Sequence, residues 1–275
     1  MPSNSESNSL FMQKVAFSYF NGLVLRDIEL TVTDGEMVGL IGPNGCGKTT
    51  LLKLASGVLA PVQGEVSLGG VSLKKLPRKQ VAQRVAVVPQ YFNIPFAFTV
   101  AEVVLLGRTP FVSILSGETK HDHEMAASAL ELTGIELLKN RYFNELSGGE
   151  RQKAILAMAL AQEPKILLLD EPTTHLDISH QVEMLGLVRK LNREHRITVI
   201  AAMHDLNLAA LFFDRLVLLK EGVIVADGSP QDVLTETSIQ EVFSASVKVS
   251  QHPVTSAPHI VVLPREATTN NPLVS

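Results

Sequence analysis

The sequence predicts an α/β fold: a mostly parallel sheet flanked by helices, with an antiparallel β subdomain at its N-terminal end and an α-helical subdomain inserted in its middle. Three observations carry this. The β-branched apolar runs Met37 to Ile41, Val85 to Val88, Ile166 to Leu169 and Ile197 to Ala201 are too short for helices, and each ends in glycine, proline or charge. Helical patterns lie between them, the clearest being Ile178, Val182, Leu185, Val188 and Leu191 at spacings of three and four. Ahead of the first run, Val15 to Tyr19 and Leu25 to Val32 read as strands of a meander, followed by a turn at Asp34-Gly35.

From Tyr91 to Leu146 the strand signal disappears. Ala101 to Leu106 and Glu124 to Leu132 read as helices, with loops at Thr109-Pro110 and Ser116-Gly117, so the helical insertion is placed at about residues 91–162. The expected organisation is a flexible start (1–10), one domain over 11–264 and a frayed tail (265–275).

Composition narrows the function. The chain has 275 residues, 45% hydrophobic and 19% charged, enough to bury a core. Its longest unbroken apolar run, Ala154 to Ala161, is far short of the roughly 20 residues of a membrane-spanning helix. Twenty-four Lys and Arg against twenty-eight Asp and Glu leave a net charge of -4, which gives no drive toward nucleic acid. A single cysteine and a polar start without a signal-peptide pattern point to the cytoplasm.

Gly42-Pro43-Asn44-Gly45-Cys46-Gly47-Lys48-Thr49 fits the phosphate-loop pattern at every fixed position, between the run ending at Ile41 and a helical stretch from Thr49 through Thr50 to Ala55. Glycines let backbone amides curl around a β-phosphate, and a helix N-terminus adds roughly +0.5 charge aimed at it. Lys48 is expected to bridge the β- and γ-phosphates and Thr49 to offer its hydroxyl to Mg²⁺. The run from Ile166 ends in Asp170-Glu171; such a strand is expected beside the loop, with Asp170 near the metal and Glu171 as general base toward water. His204 follows the next run at the same sheet edge, where it could sense the γ-phosphate.

Leu146-Ser147-Gly148-Gly149-Glu150 opens a strongly apolar helix from Arg151 to Ala161, and Ser147 and Glu150 have capping-box spacing. Two glycines leave its first amides bare, a second anion site where one nucleotide needs only one loop. The surplus implies a second nucleotide and a head-to-tail dimer.

Together with the phosphate loop and Leu169-Asp170-Glu171-Pro172, this segment resembles the nucleotide-binding subunit of an ABC transporter, from about Met12 to Leu263. The resemblance implies ATP and Mg²⁺ as cofactors, Tyr19 stacked on adenine, Gln90 linking metal and γ-phosphate to the helical subdomain, Asp177 contacting the partner and His204 as switch histidine. It places Gly42 to Thr50, Ser147 to Glu150 and Asp177 at nucleotide, and Thr49, Gln90 and Asp170 at metal. Pro172 to Ile178, His204 to Ala209 and Gly107-Arg108-Thr109-Pro110 resemble the ATPases of ferric siderophore, haem and cobalamin importers. The implied partners are a second copy, two membrane permease subunits docking near Gln90 to Arg108, and an external substrate-binding protein, at the cytoplasmic face of the membrane. Cys46 and Met203 depart from the commoner residues, and neither removes a phosphate or metal ligand.

A soluble ABC ATPase of nucleic-acid maintenance is disfavoured: there is no long heptad segment, second cassette or basic surplus. A non-hydrolysing dimer would lack Glu171 or His204, and no Asn-Lys-x-Asp guanine reader is present. His121-Asp122-His123-Glu124 reads as a solvated helix start rather than a metal site, and Lys74-Lys75 with Arg78-Lys79 as solvated surface. Of Tyr91, Phe92, Phe96 and Phe98, part is expected to be exposed as a docking surface.

Overall fold

The computed structural model describes residues 8–20, 22–113 and 117–264. The N-terminal strands β1 (Asn8–Tyr19) and β2 (Gly22–Thr33) form a hairpin and lead into β3 (Met37–Ile41) and α1 (Lys48–Ala55). Strands β4 (Gln63–Leu68) and β5 (Val71–Ser72) follow, then α2 (Arg78–Ala82) and β6 (Val85–Val88). The helical stretch holds α3 (Val100–Leu105), α4 (Lys120–Leu132) and α5 (Gly148–Ala161). Next come β7 (Ile166–Asp170), α6 (Ile178–His195), β8 (Thr198–Ala202) and α7 (Leu206–Phe212). The chain continues with β9 (Arg215–Lys220), β10 (Val223–Gly228), α8 (Pro230–Val233), α9 (Glu236–Phe243), β11 (Val247–Gln251) and β12 (Pro258–Val262).

Six strands form the central sheet in the order β10-β9-β3-β8-β7-β6, all parallel except β10. Its strands alternate between two cores, as a sheet covered on both faces requires. Leu167, Leu169, Val199 and Ala201 face the helices, whereas Ile166, Leu168, Ile200 and Ala202 face α1 and the antiparallel sheet β2-β1-β4-β5. Strand β7 is not the sheet neighbour of β3, since β8 lies between them with Leu40 and Asp170 both in register with Ala202. Its end still reaches the phosphate loop as expected, where Thr49 bonds Asp170.

Several expectations shift. Residues 8–10 belong to β1, and Ser9 and Leu10 are buried because β1 pairs with both β2 and β4 there. Residues 1–7 and 265–275, and Ser116 of the expected loop, lie outside the described residues. Ile178 and Val182 stand in solvent although Leu185, Val188 and Leu191 are buried, so α6 meets the core only after its first turns. Helix α4 starts a turn earlier than expected, capped by Thr119 with Asp122, and Asp122 is buried rather than solvated. Its carboxylate receives Arg108 Nε at 2.9 Å, while Arg108, 2% exposed, also donates to Ala161 O and Glu163 Oε2, both at 2.7 Å.

Candidate active site

At the carboxyl end of β3 the chain leaves the sheet and turns into α1 through Gly47, whose φ of 110° side chains rarely adopt. A Cβ there would also come within 2.6 Å of Leu25 Cδ2. No side chain caps α1, so its first amides remain for an anion. Lys48 is buried, and its Nζ donates to Gly42 O at 2.7 Å and Pro43 O at 3.2 Å. The ammonium is thus held by carbonyl oxygens, not neutralised by a carboxylate.

Thr49 Oγ1 donates to Asp170 Oδ1 at 3.0 Å, across the intervening β8. Burial pushes the Asp170 carboxyl above its usual range, against the opposing Thr49 bond and reinforced by the charge of Glu171. A cation would remove that penalty, so the oxygen donors Thr49 and Asp170 suit a hard divalent ion.

Glu171 takes a left-handed backbone, φ 53°, which swings its side chain out of the strand's alternation. Both carboxylate oxygens are engaged: Oε1 by His204 Nε2, and Oε2 by Gln90 Nε2 and by Thr174 Oγ1 at 3.3 Å. Gln90 thereby spends its amide nitrogen on Glu171 and leaves its carbonyl oxygen for another ligand. Gln90, Glu171 and His204 share a pocket of about 430 Å³ with Val24, Asn44, Gly45, Gly47, Lys48, Thr49 and Thr50. Bare amides, a buried ammonium and an oriented carboxylate can hold a phosphate chain and direct water at its end.

Other predicted residues lie apart. Gly42, Pro43 and Cys46 sit behind the loop's lining; Cys46 is buried, and burial raises its thiol pKa more than the Lys48 charge lowers it. Tyr19 is outside the pocket, 40% exposed and edge-on to Phe17. Ser147 and Glu150 close the expected capping box on α5, with Glu150 Oε2 accepting from Ser147 N at 2.9 Å, and Asp177 caps α6. None of Ser147, Gly148, Gly149, Glu150 and Asp177 lines the pocket. Val24 lines the pocket though nothing local in the sequence marks it, whereas Thr174, within the Pro172 to Ile178 run, bonds Glu171 without lining the pocket.

A strand, a glycine loop and a helix carrying Lys48 and Thr49, with an acid pair at the edge of the same sheet, define a phosphate-loop nucleotide hydrolase. The ABC transporter family model matches residues 25–174. The chain is 39% identical to the ferric enterobactin transport ATP-binding protein FepC of Escherichia coli (strain K12), over 93% of this chain and 94% of that one. It is 38% identical to the iron(3+)-hydroxamate import ATP-binding protein FhuC of Bacillus subtilis (strain 168), over 91% and 93%. Among solved structures, an ABC transporter in an inward-facing conformation aligns with a TM-score of 0.83 at 29% identity, covering 94% of this chain and 98% of that one. A dimeric ATP-binding cassette holding ADP and Pi after hydrolysis aligns with a TM-score of 0.70 at 30% identity, covering 80% and 98%. The chain belongs to the ABC transporter family, as an ATP-binding and ATP-hydrolysing subunit. No helix among the described residues is long and apolar enough to cross a membrane.

Proposed function

We propose that the chain drives import of an iron chelate, a ferric siderophore or haem, or of cobalamin, as a head-to-tail homodimer at the cytoplasmic face of the membrane. The convergence of His204 and Gln90 on the two oxygens of Glu171, opposite Lys48, carries the hydrolytic part of this reading. Glu171 acts as general base on a water held between it and the γ-phosphate, and His204 fixes the carboxylate and meets the terminal phosphate. Lys48 turns from its two carbonyls to the β- and γ-phosphates. Thr49, Asp170 and the free carbonyl oxygen of Gln90 would hold Mg²⁺, which would supply charge neutralisation at the phosphates. Gly42 to Thr50 wrap the phosphate chain, and Tyr19 offers its exposed ring to adenine.

Ser147 to Glu150 and Asp177 lie away from their own chain's pocket, which supports a role toward the nucleotide of a second copy. Two membrane permease subunits dock near Gln90 to Arg108, and an external substrate-binding protein delivers the cargo. Support comes from Tyr91 and Phe96, which expose 73% and 69% of their surface, while Phe92 packs edge-on to Phe143. Next to that stretch, Thr109, Pro110 and Val112 face Arg78, Lys79 and Ala82 across a groove of about 820 Å³. The iron-chelate cargo of the relatives FepC and FhuC favours that class.

The test is uptake of labelled ferric siderophore, haem and cobalamin in a deletion strain carrying wild type or Glu171→Gln. The variant is expected to bind ATP, dimerise and lose hydrolysis by a factor of about 10² to 10⁴. One compound should enter only with wild type. Uptake of all three independently of this protein would remove the iron-chelate and cobalamin cargo in favour of another transport substrate, and a variant that stays monomeric in ATP would remove the dimer.

A further inference from the structure

The two glycines that open α5 have different surroundings. A methyl group at Gly148 would meet only Leu176 Cδ2, at 3.8 Å, an ordinary contact. At Gly149 it would come within 2.2 Å of His180 Cδ2 and 2.7 Å of His180 Nε2, so the imidazole occupies the place of a side chain there. Packing inside the chain accounts for the second glycine, and leaves the first free for an outside ligand.

The same ring is fixed from its other edge. His180 Nδ1 lies 2.7 Å from Asp177 Oδ1, and an ionised carboxylate only accepts, so Nδ1 carries the proton. Asp177 Oδ1 also accepts the His180 amide at 2.9 Å, and these bonds hold the Asp177 carboxyl below its usual range. One turn further along the seam, Lys153 Nζ meets Glu183 Oε1 at 2.6 Å. Gln181 Nε2 donates to Leu176 O at 3.0 Å and Thr173 O at 3.3 Å, which ties α6 back to the loop leaving Glu171. This junction is open to solvent: Asp177 and Ile178 are exposed, so the ring is not there to fill a core.

We infer that His180 is a positioning residue that locks the start of α6 onto the start of α5, so that the α5 amides and Asp177 meet a second copy of the chain as one rigid surface. The inference rests on the proposed dimer. Without the imidazole, both helix starts move independently, and closure must first order them, which weakens assembly without touching nucleotide capture at Lys48.

The test uses the full chain with Glu171→Gln to trap the ATP state, and follows dimerisation by light scattering across an ATP titration. Adding His180→Ala is expected to raise the half-dimerisation ATP concentration at least about 10-fold, and His180→Gln, which keeps a donor for Asp177, to recover most of it. Binding of a fluorescent ATP analogue to dilute monomer, and the melting temperature, should stay at the parent's values. Gly149→Ala should block dimerisation, and adding His180→Ala should restore part of it by vacating the space the methyl needs. A parent that stays monomeric would sink the dimer reading and this inference with it. A parent that dimerises, with a His180→Ala derivative matching it, would overturn the role of His180 alone. No recovery of Gly149→Ala by His180→Ala would overturn the seam.

Discussion

Asp170 carries a cost that its ligand is built to remove. Its folded-state pKa is raised, so its contribution to stability is full below the ordinary carboxylate range and is lost as pH rises through the raised value. Above that raised value the nucleotide-free protein holds an unfavourable buried charge. Asp170→Asn keeps an acceptor for Thr49 Oγ1 and should melt higher than wild type at pH 7 without nucleotide, the gain vanishing toward pH 3, while Mg²⁺-dependent hydrolysis disappears. An unchanged or lower melting temperature would contradict the burial argument. Cys46 offers a second check at this scale. A buried thiol with a raised pKa should react with a chromogenic disulfide at less than about a tenth of the rate seen in denaturant. Rapid native labelling would mean that the loop opens on its own. Most pocket residues could be read from the sequence because the phosphate loop is a contiguous stretch and Asp170-Glu171 follow one another. His180 could not: its partner Gly149 lies on another helix, and only packing brings them together.

Helix termini account for much of the rest. Arg108 joins the first turn of α4, through Asp122, to the last carbonyl of α5 at Ala161. The Asp122 carboxyl is held well below the usual range, first by the Thr119 hydroxyl and amide and then by Arg108. A lowered folded pKa means stability present above the ordinary carboxylate range and lost as pH falls through the lowered one. Asp122→Asn should therefore unfold more easily than wild type at pH 7, and the two should converge in acid. Parallel melting curves across pH would contradict the role of that carboxylate. Motif-bearing elements such as β3, β7 and α5 were legible because they are apolar and bounded by turns or caps. The hairpins β9-β10 and β11-β12 lie outside the expected elements, although Glu221-Gly222 marks the first turn and Leu216 to Leu219 is as apolar as the runs read as strands; no motif sits on them, and β11 alternates with polar residues. The basic pair Arg78-Lys79, read as plain surface, is exposed and also walls a groove, a role that depends on where the chain past Arg108 returns.

Over the whole molecule, the pocket and the proposed docking face meet at Gln90, but the exposed rings Tyr91 and Phe96 lie outside the pocket lining, which makes the two functions separable by mutation. Phe96→Glu charges an exposed ring without touching the pocket and should leave ATP hydrolysis by the isolated subunit within about 2-fold while abolishing uptake. Equal loss of both would place Phe96 in the nucleotide machinery instead. The order of the central sheet sets a further condition, on the birth of the protein. Strand β3, which launches the phosphate loop, pairs with β8 and β9, through Val38 with Ile200 and with Arg215. On the ribosome the loop emerges long before either neighbour exists, and Gln90, Glu171 and His204 arrive in turn. Nascent chains ending before about Lys220 should thus have no pocket to offer, and ATP becomes a ligand only of the nearly finished polypeptide, with slow non-local pairing as the gate to its first nucleotide.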